Sequence, residues 1–463
     1  MNLIIIFLFF MGTVAPSNTF FARRSITTNP VFELPENNFQ MNEAKNSDVS
    51  FQFFSDTFFQ ASVKEKNQGK YFFPNNKECQ NFYENKANTD INSVWFGNIT
   101  PVGSYYESKL CLAPSQRTFG QGYMINIKKC NYWMRINTNV IVIKTKANLK
   151  EYDKKENGLI VGRKNAFQAL CPSTAPYFDY GNICNCSTSK TNFDDIQIKL
   201  GWDIKPNKSF YGVIVIPTGA KVEPINIFEP IVGSRHFSAG FGVNANKNFG
   251  TNDRWNAAID CKFNYALPAK EIRSFDLTLN GQWSRYLLVV KSSDPQTKTY
   301  PGINLFTREA TVSPRSNFNL WSALHYKNDH FHFEAGYNLW VRSKEKISKI
   351  SAIDSGYGIA DLVGIIAGSG ATTSSKAKIS NGPLSPYAAS ADATFVELTT
   401  SDLNPDSAAH PSALSNTFYA LVGNQVKTNF GCLNASFGLS YEIGRGASAL
   451  NNVATWISTF FNF

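Results

Sequence analysis

The sequence predicts an all-β chain, an antiparallel transmembrane β-barrel of about 14 strands, with about 12 to 16 as its bounds. Three observations predict it. Segment after segment of strand length alternates large apolar with polar residues, the period of a strand with one apolar and one polar face. Several segments reach ten residues or more, whereas strands of ordinary domains average about five or six and a tilted membrane-crossing strand needs about ten. The composition is heavy in aromatics, with 38 Phe, 19 Tyr and 8 Trp, yet mean hydropathy is only −0.24. The apolar surface is therefore not gathered into membrane-crossing helices.

In chain order, an apolar run from Leu3 to Met11 precedes small residues at Ala15-Pro16-Ser17, which reads as a secretory signal peptide over residues 1–17. Residues 18–115 read as an irregular N-terminal segment or plug that includes the first strands. Within it, residues 50–63 carry five phenylalanines and read as a first strand or an amphipathic helix. The barrel is placed at 116–463. Residues 122–127 and 132–144 form a hairpin, with Arg135, Asn137 and Asn139 on the face opposite Tyr132, Met134 and Ile136. A polar connection follows over 147–192.

The middle of the chain alternates most regularly. Residues 195–204 set Ile196, Ile198, Leu200, Trp202 and Ile204 against Gln197, Lys199 and Asp203. Segments 210–216, 236–243, 255–265 and 275–283 continue the pattern, with Asp260, Lys262 and Asp276 on the polar faces. Segments 318–326 and 331–341 pair around a Lys-Asn-Asp turn, with His332 and Glu334 opposite Phe331 and Phe333, and His330 and Arg342 flanking. Residues 343–415, rich in Ala, Ser and Gly, form a large loop or lid. Three segments from Asn416 onward complete the set, the last placing Val453, Ile457, Phe461 and Phe463 on one face. Short turns at 427–429, 327–329 and 268–272 alternate with long connections at 444–451, 342–415 and 284–317. Upstream the alternation breaks at 205–208 and 217–235, which predicts an unseen strand within 300–309 or a segment folded inward.

The net charge of +10 is spread along the chain. No basic stripe interleaved with aromatics is present, and nucleic-acid binding is excluded on that ground. Eight cysteines in an exported chain permit disulfides, and one or two are expected within 79–186. Cys261 and Cys432 read as packing residues inside strands. Five histidines are present, at 236, 325, 330, 332 and 410. His330, His332 and Glu334 share a strand face, which would suit a divalent metal, but the reading taken is a watery lumen with no metal and no cofactor. No G-x-S-x-G nucleophile motif and no phosphate-cradling glycine loop occur. His332 beside a serine of a neighbouring strand remains as a hydrolase alternative.

The closing segment, with its alternating apolar residues and Phe463 at the end, resembles the last strand of Gram-negative outer-membrane β-barrels. The resemblance to their porin and transporter class extends from about residue 121 onward. It implies an outer-membrane location, contact with the lipid bilayer and the barrel-assembly machinery, and Ile457, Phe461 and Phe463 as the assembly signal. The size and the irregular N-terminal part are similar to long-chain fatty-acid transporters, which plug a 14-stranded barrel with N-terminal residues. Where those carry Asn-Pro-Ala, this chain has Asn29-Pro30-Val31.

The function expected is a non-enzymatic outer-membrane channel or transporter for small solutes. Its lumen would be lined by Arg135, Lys199, Asp203, Asp260, Lys262, Asp276, His330, His332, Glu334 and Arg342. A non-conducting surface or adhesion protein displaying the 343–415 loop is the other reading.

Overall fold

The computed structural model describes residues 24–31, 49–63, 68–83, 90–96, 105–157, 165–173, 177–221, 223–250, 253–293, 299–328, 330–360, 377–380, 396–428, 431–445 and 450–462. The expected signal peptide and Phe463 lie outside these residues, as do 361–376 and 381–395 of the large insertion.

Twelve strands form an antiparallel meander that closes on itself. They are β1 Ser50–Ser62, β2 Ser115–Lys129, β3 Tyr132–Lys146 and β4 Ile196–Lys205. Next come β5 Lys208–Ile216, β6 Ser238–Phe249, β7 Trp255–Ala266 and β8 Arg315–Lys327. The last four are β9 Phe331–Arg342, β10 Ala413–Thr428, β11 Gly431–Arg445 and β12 Asn452–Asn462. Each pairs with its neighbours in sequence, and β12 closes on β1 from Gln52↔Asn462 to Ser62↔Asn452. A thirteenth strand, Ser187–Phe193, lies outside the closed ring and pairs with the far half of β3.

Alternation decides which way each side chain points. On β4, Leu200, Trp202 and Ile204 face outward and stay exposed, while Gln197 and Lys199 face inward and are buried. The same division runs round the ring: Phe119, Phe241, Phe418, Phe437 and Ile457 lie outside. Gln52, Asn126, Arg135, Lys262, Glu334 and Asn434 lie inside. A soluble protein would bury the first set and expose the second. A mainly apolar outer face around a polar interior is the arrangement hydrocarbon requires, and closure leaves no backbone edge unpaired in lipid. No helix among the described residues is long and apolar enough to cross a membrane.

Three expectations are corrected here. Among the described residues the closed barrel has twelve strands, the lower bound of the expected range and not the 14 favoured within it. Residues 275–283 contribute no barrel strand: only Asp276–Leu277 is extended, pairing with Leu403–Asn404, and Phe275, Leu277 and Trp283 are buried in a core outside the barrel. Period-two alternation cannot tell a short strand in a folded loop from a membrane-crossing one. Residues 268–272 are likewise no turn, since strand Ala269–Ser274 runs on to pair with Thr307–Ser313.

The broken loop alternation had this one false strand as its cause. With it removed, the short turns, 129–132, 205–208, 249–255, 327–331 and 428–431, all lie at one end, where β1 begins and β12 ends. The long connections all lie at the other. The stretch 300–309 holds no missing barrel strand; it belongs to a short strand, the helix Gly302–Phe306 and the start of Thr307–Ser313.

The described parts of the long connections fold together into a cap with its own apolar core, including Phe73, Phe82, Phe96, Leu110, Tyr286 and Phe306. A four-stranded sheet of Cys79–Tyr83, Ile91–Asn92, Tyr105–Leu112 and Leu149–Asn157 belongs to it. Disulfides Cys79–Cys111 and Cys171–Cys184 staple it, within the expected stretch. Closing loops of 32 and 13 residues' separation is worth roughly 3 to 4 kcal/mol each in chain entropy. Reduction should therefore lower the protease resistance of the cap while leaving the heat-modifiable gel mobility of the barrel unchanged. Loss of both together would show that cap and barrel unfold as one unit.

Candidate functional site

The lumen is the candidate site, and three layers of side chains fill it. Near the short-turn end, Arg135 Nε donates to Asn126 Oδ1 at 2.7 Å and its guanidinium lies over Trp133. Asp203 pairs with Lys128 at 2.8 Å. Glu334 accepts from the Tyr419 hydroxyl at 2.5 Å and faces His325 at 3.4 Å, and Trp321 Nε1 donates to Tyr419 at 2.8 Å. Glycine makes the room for this packing: a Cβ at Gly336 would come within 2.4 Å of the Tyr419 ring.

In the middle layer, Tyr211 donates to both carboxylate oxygens of Asp260 and lies under the Lys199 ammonium. Lys262 Nζ reaches Gln197 Oε1 at 3.1 Å and the carbonyl of Thr28 at 3.2 Å.

That last contact introduces residues 24–31, which lie against inward-facing side chains of the barrel. Asp194 Oδ2 accepts from Ser25 Oγ, Thr27 N and Thr27 Oγ1 at 3.0, 2.8 and 3.1 Å. Asn137 and Asn139 donate to Thr27, and Arg24 donates to Asn319 and Asn338 at 3.1 and 2.7 Å. Ile26 and Val31 join an apolar cluster with Phe54, Phe58 and Trp456. Local geometry places Asp194. The strand Ser187–Phe193 and β4 run in one direction along β3, and the ladder breaks between them at Asp194 and Asp195. Such a break re-aims side chains, and both carboxylates are buried. Asp195 accepts from Ser234 N at 2.9 Å.

The third layer sits where barrel meets cap. Glu271 pairs with Arg235 at 3.0 Å, Arg273 at 2.8 Å and His236 at 2.8 Å. Glu345 pairs with Arg273 at 3.3 Å and Arg342 at 3.6 Å, and accepts from His410 N at 3.0 Å. Burial works against the charge on Glu345, but His410, Arg273 and Arg342 outweigh it and bring its carboxyl down to about 2. Burial lowers His410 to about 3, against the pull of Glu345.

These shifts give a pH prediction. Below 6.5 the unfolded chain takes up a proton on His410 that the folded chain refuses down to about 3, so stability falls as pH falls through that window. Glu345 adds a second loss between 4.5 and about 2. Cap unfolding followed by near-UV circular dichroism should show wild type losing stability relative to His410→Leu from pH 6.5 downward. A constant difference between the two would remove His410 as the cause.

The structure brings Arg135, Lys199, Asp203, Asp260, Lys262, His332, Glu334 and Arg342 to the inner face of the barrel. It does not bring Asp276, which lies outside the barrel, ion-paired with Arg285 at 2.8 Å. His330 sits exposed at the β8–β9 turn, its N–H donating to Asn328. Ile457 and Phe461 are on the outward face of β12.

His332 does meet a serine, with Nε2 2.9 Å from Ser436 Oγ. Ser436 is mid-strand, paired with Gly423 on one side and Ser458 on the other. The two side chains meet over Gly423 of β10, where a Cβ would come within 2.1 Å of His332 Nε2. Sequence reasoning missed Asp194, Arg235, Glu271, Arg273, Glu345 and His410. Only Asp194, half of an acidic doublet at the head of a strand, carried a local signal.

Compared by sequence, the chain matches no protein-family model and no curated protein. Compared by structure, it is similar to the COG4313 outer membrane channel from Pseudomonas putida F1, at 7% identity over 91% of this chain and 98% of that one, with a TM-score of 0.39. It is also similar to a Pseudomonas aeruginosa FadL homologue, at 8% identity over 90% and 89% with a TM-score of 0.31. A third is the Pseudomonas putida toluene transporter TodX, at 8% identity over 95% and 94% with a TM-score of 0.26. By its own geometry, with an even-stranded closed barrel, short turns at one end and an apolar outer belt, the chain has the architecture of the outer-membrane β-barrels.

Proposed function

We propose that the protein is a gated outer-membrane channel or transporter for small solutes, seen in its closed state, with residues 24–31 as the plug. The observation that carries this reading is how that segment is held. It does not add a strand to the barrel; it donates hydrogen bonds to Asp194 and accepts them from Asn137, Asn139 and Lys262, all on the barrel's inner side. Ile26 and Val31 also pack on the apolar cluster of Phe54, Phe58 and Trp456, while the polar tethers can exchange their partners for water at modest net cost. Single-channel recording of the full chain in planar bilayers tests the proposal. Rare, brief openings are expected; insertion with complete silence, even under applied voltage, would count against a channel.

The folded cap favours a second reading, in which the barrel anchors the cap for display at the surface. Silence in the bilayer together with binding of the protein to a cell or matrix surface would favour it.

A further inference from the structure

We propose that the cavity between plug, barrel mouth and cap is a binding site for a phosphate-class oxyanion. This deepens the transport reading by naming a solute class, although binding there can be measured without conduction. The cavity has a volume of about 90 Å³, several times the roughly 10–15 Å³ that a single water needs. A phosphate group has five heavy atoms and fits.

The charged side chains lining it are Arg24, Arg235 and Arg342 against Glu345, three cations to one carboxylate. Outside the lining, Glu442 stands 3.8 Å from Arg24 and Glu271 3.0 Å from Arg235, and the buried Asp194 and Asp195 accept from Ser25 and Ser234 of the wall. Three guanidiniums and one carboxylate at the wall favour an anion over a cation inside the cavity. The donors are also incompletely used. Arg235 Nε and Arg342 Nε are buried without a hydrogen-bond partner among the described residues, as are both ring nitrogens of His410, one of which carries the N–H of the neutral ring, and His410 is only 2% exposed.

Direction selects the kind of anion. Arg24 comes from the plug, Arg235 from the β5–β6 connection, Arg342 from the end of β9 and His410 from the approach to β10. Donors converging from four chain segments match a tetrahedral group with acceptors on every side better than a planar carboxylate. Guanidinium is the side chain suited to such an oxyanion. Arg235 is held in the left-handed region at φ 63°, the kind of strain that gathers at binding sites.

The test is titration calorimetry on the full chain in detergent with inorganic phosphate, glycerol phosphate, butyrate and chloride. Inorganic phosphate or glycerol phosphate should bind at least about tenfold more tightly than butyrate or chloride, and the better of the two identifies free anion or ester as the source. Arg342→Gln should weaken binding by about tenfold or more, and Glu345→Gln, which removes the one lining carboxylate, should tighten it by about threefold. The gain guards against mere misfolding of the arginine variant, since damage does not raise affinity. Equal binding of phosphate and butyrate, no binding of either phosphate to the folded wild type, or no gain in Glu345→Gln would overturn the proposal. Phosphate binding without conductance would keep the site and remove the channel, while conductance without phosphate binding would do the reverse.

Discussion

Asp194→Ala is expected to raise the open probability of the full chain in planar bilayers by at least about tenfold. One carboxylate oxygen accepts three hydrogen bonds from Ser25 and Thr27, and bonds to a charged group are worth about 1.5–3 kcal/mol each. Their loss also leaves the Thr27 N–H buried without its acceptor. Even half of the summed effect exceeds the 1.4 kcal/mol that shifts an equilibrium about tenfold. Asn137, Asn139 and Lys262 still hold Thr27 and Thr28, so frequent gating is expected and not a permanently open pore. A variant that folds normally and conducts no more than wild type would mean that residues 24–31 do not gate the lumen.

Leu200→Arg should lower folding stability in lipid vesicles by about 2–4 kcal/mol, the cost of a cation facing the middle of the bilayer. Leu200 points outward from mid-β4, between Met134 and Gly212 on the adjoining strands, and is 57% exposed. Ile204→Arg, on the same outward face but beside the 205–208 turn, should cost only about 0–1 kcal/mol, because near the interface a cation reaches water. Urea unfolding read by heat-modifiable gel mobility would measure both. Equal costs at the two positions would remove hydrocarbon from the outer surface and return the chain to a soluble barrel.

How much of this was legible in the sequence depended on distance along the chain. Inward and outward sets on β3, β4, β7 and β9 follow directly from alternation, because period two is a local property of extended backbone. That is why Arg135, Lys199, Lys262 and Glu334 could be assigned to one face before any partner was known. The same local rule misassigned Asp276, whose neighbours alternate as a barrel strand would, although Phe275 and Trp283 are buried in the cap. Whether an alternating stretch crosses a membrane or folds above it is decided by what it packs against.

The sequence by itself determined the all-β class, the two-faced strands and an aromatic outer surface, since each depends on residues a few positions apart. Only the tertiary structure decided the twelve-strand closure, the placement of residues 24–31 and the ionic cluster at the mouth. Glu271, Arg273, Glu345 and His410 meet across separations of up to 139 residues. Arg24 and Glu442, 3.8 Å apart, stand near opposite ends of the described chain. Contacts of that kind leave no period or spacing to read, because the order of residues in a chain fixes local geometry, while a closed barrel brings together whatever its inward faces carry.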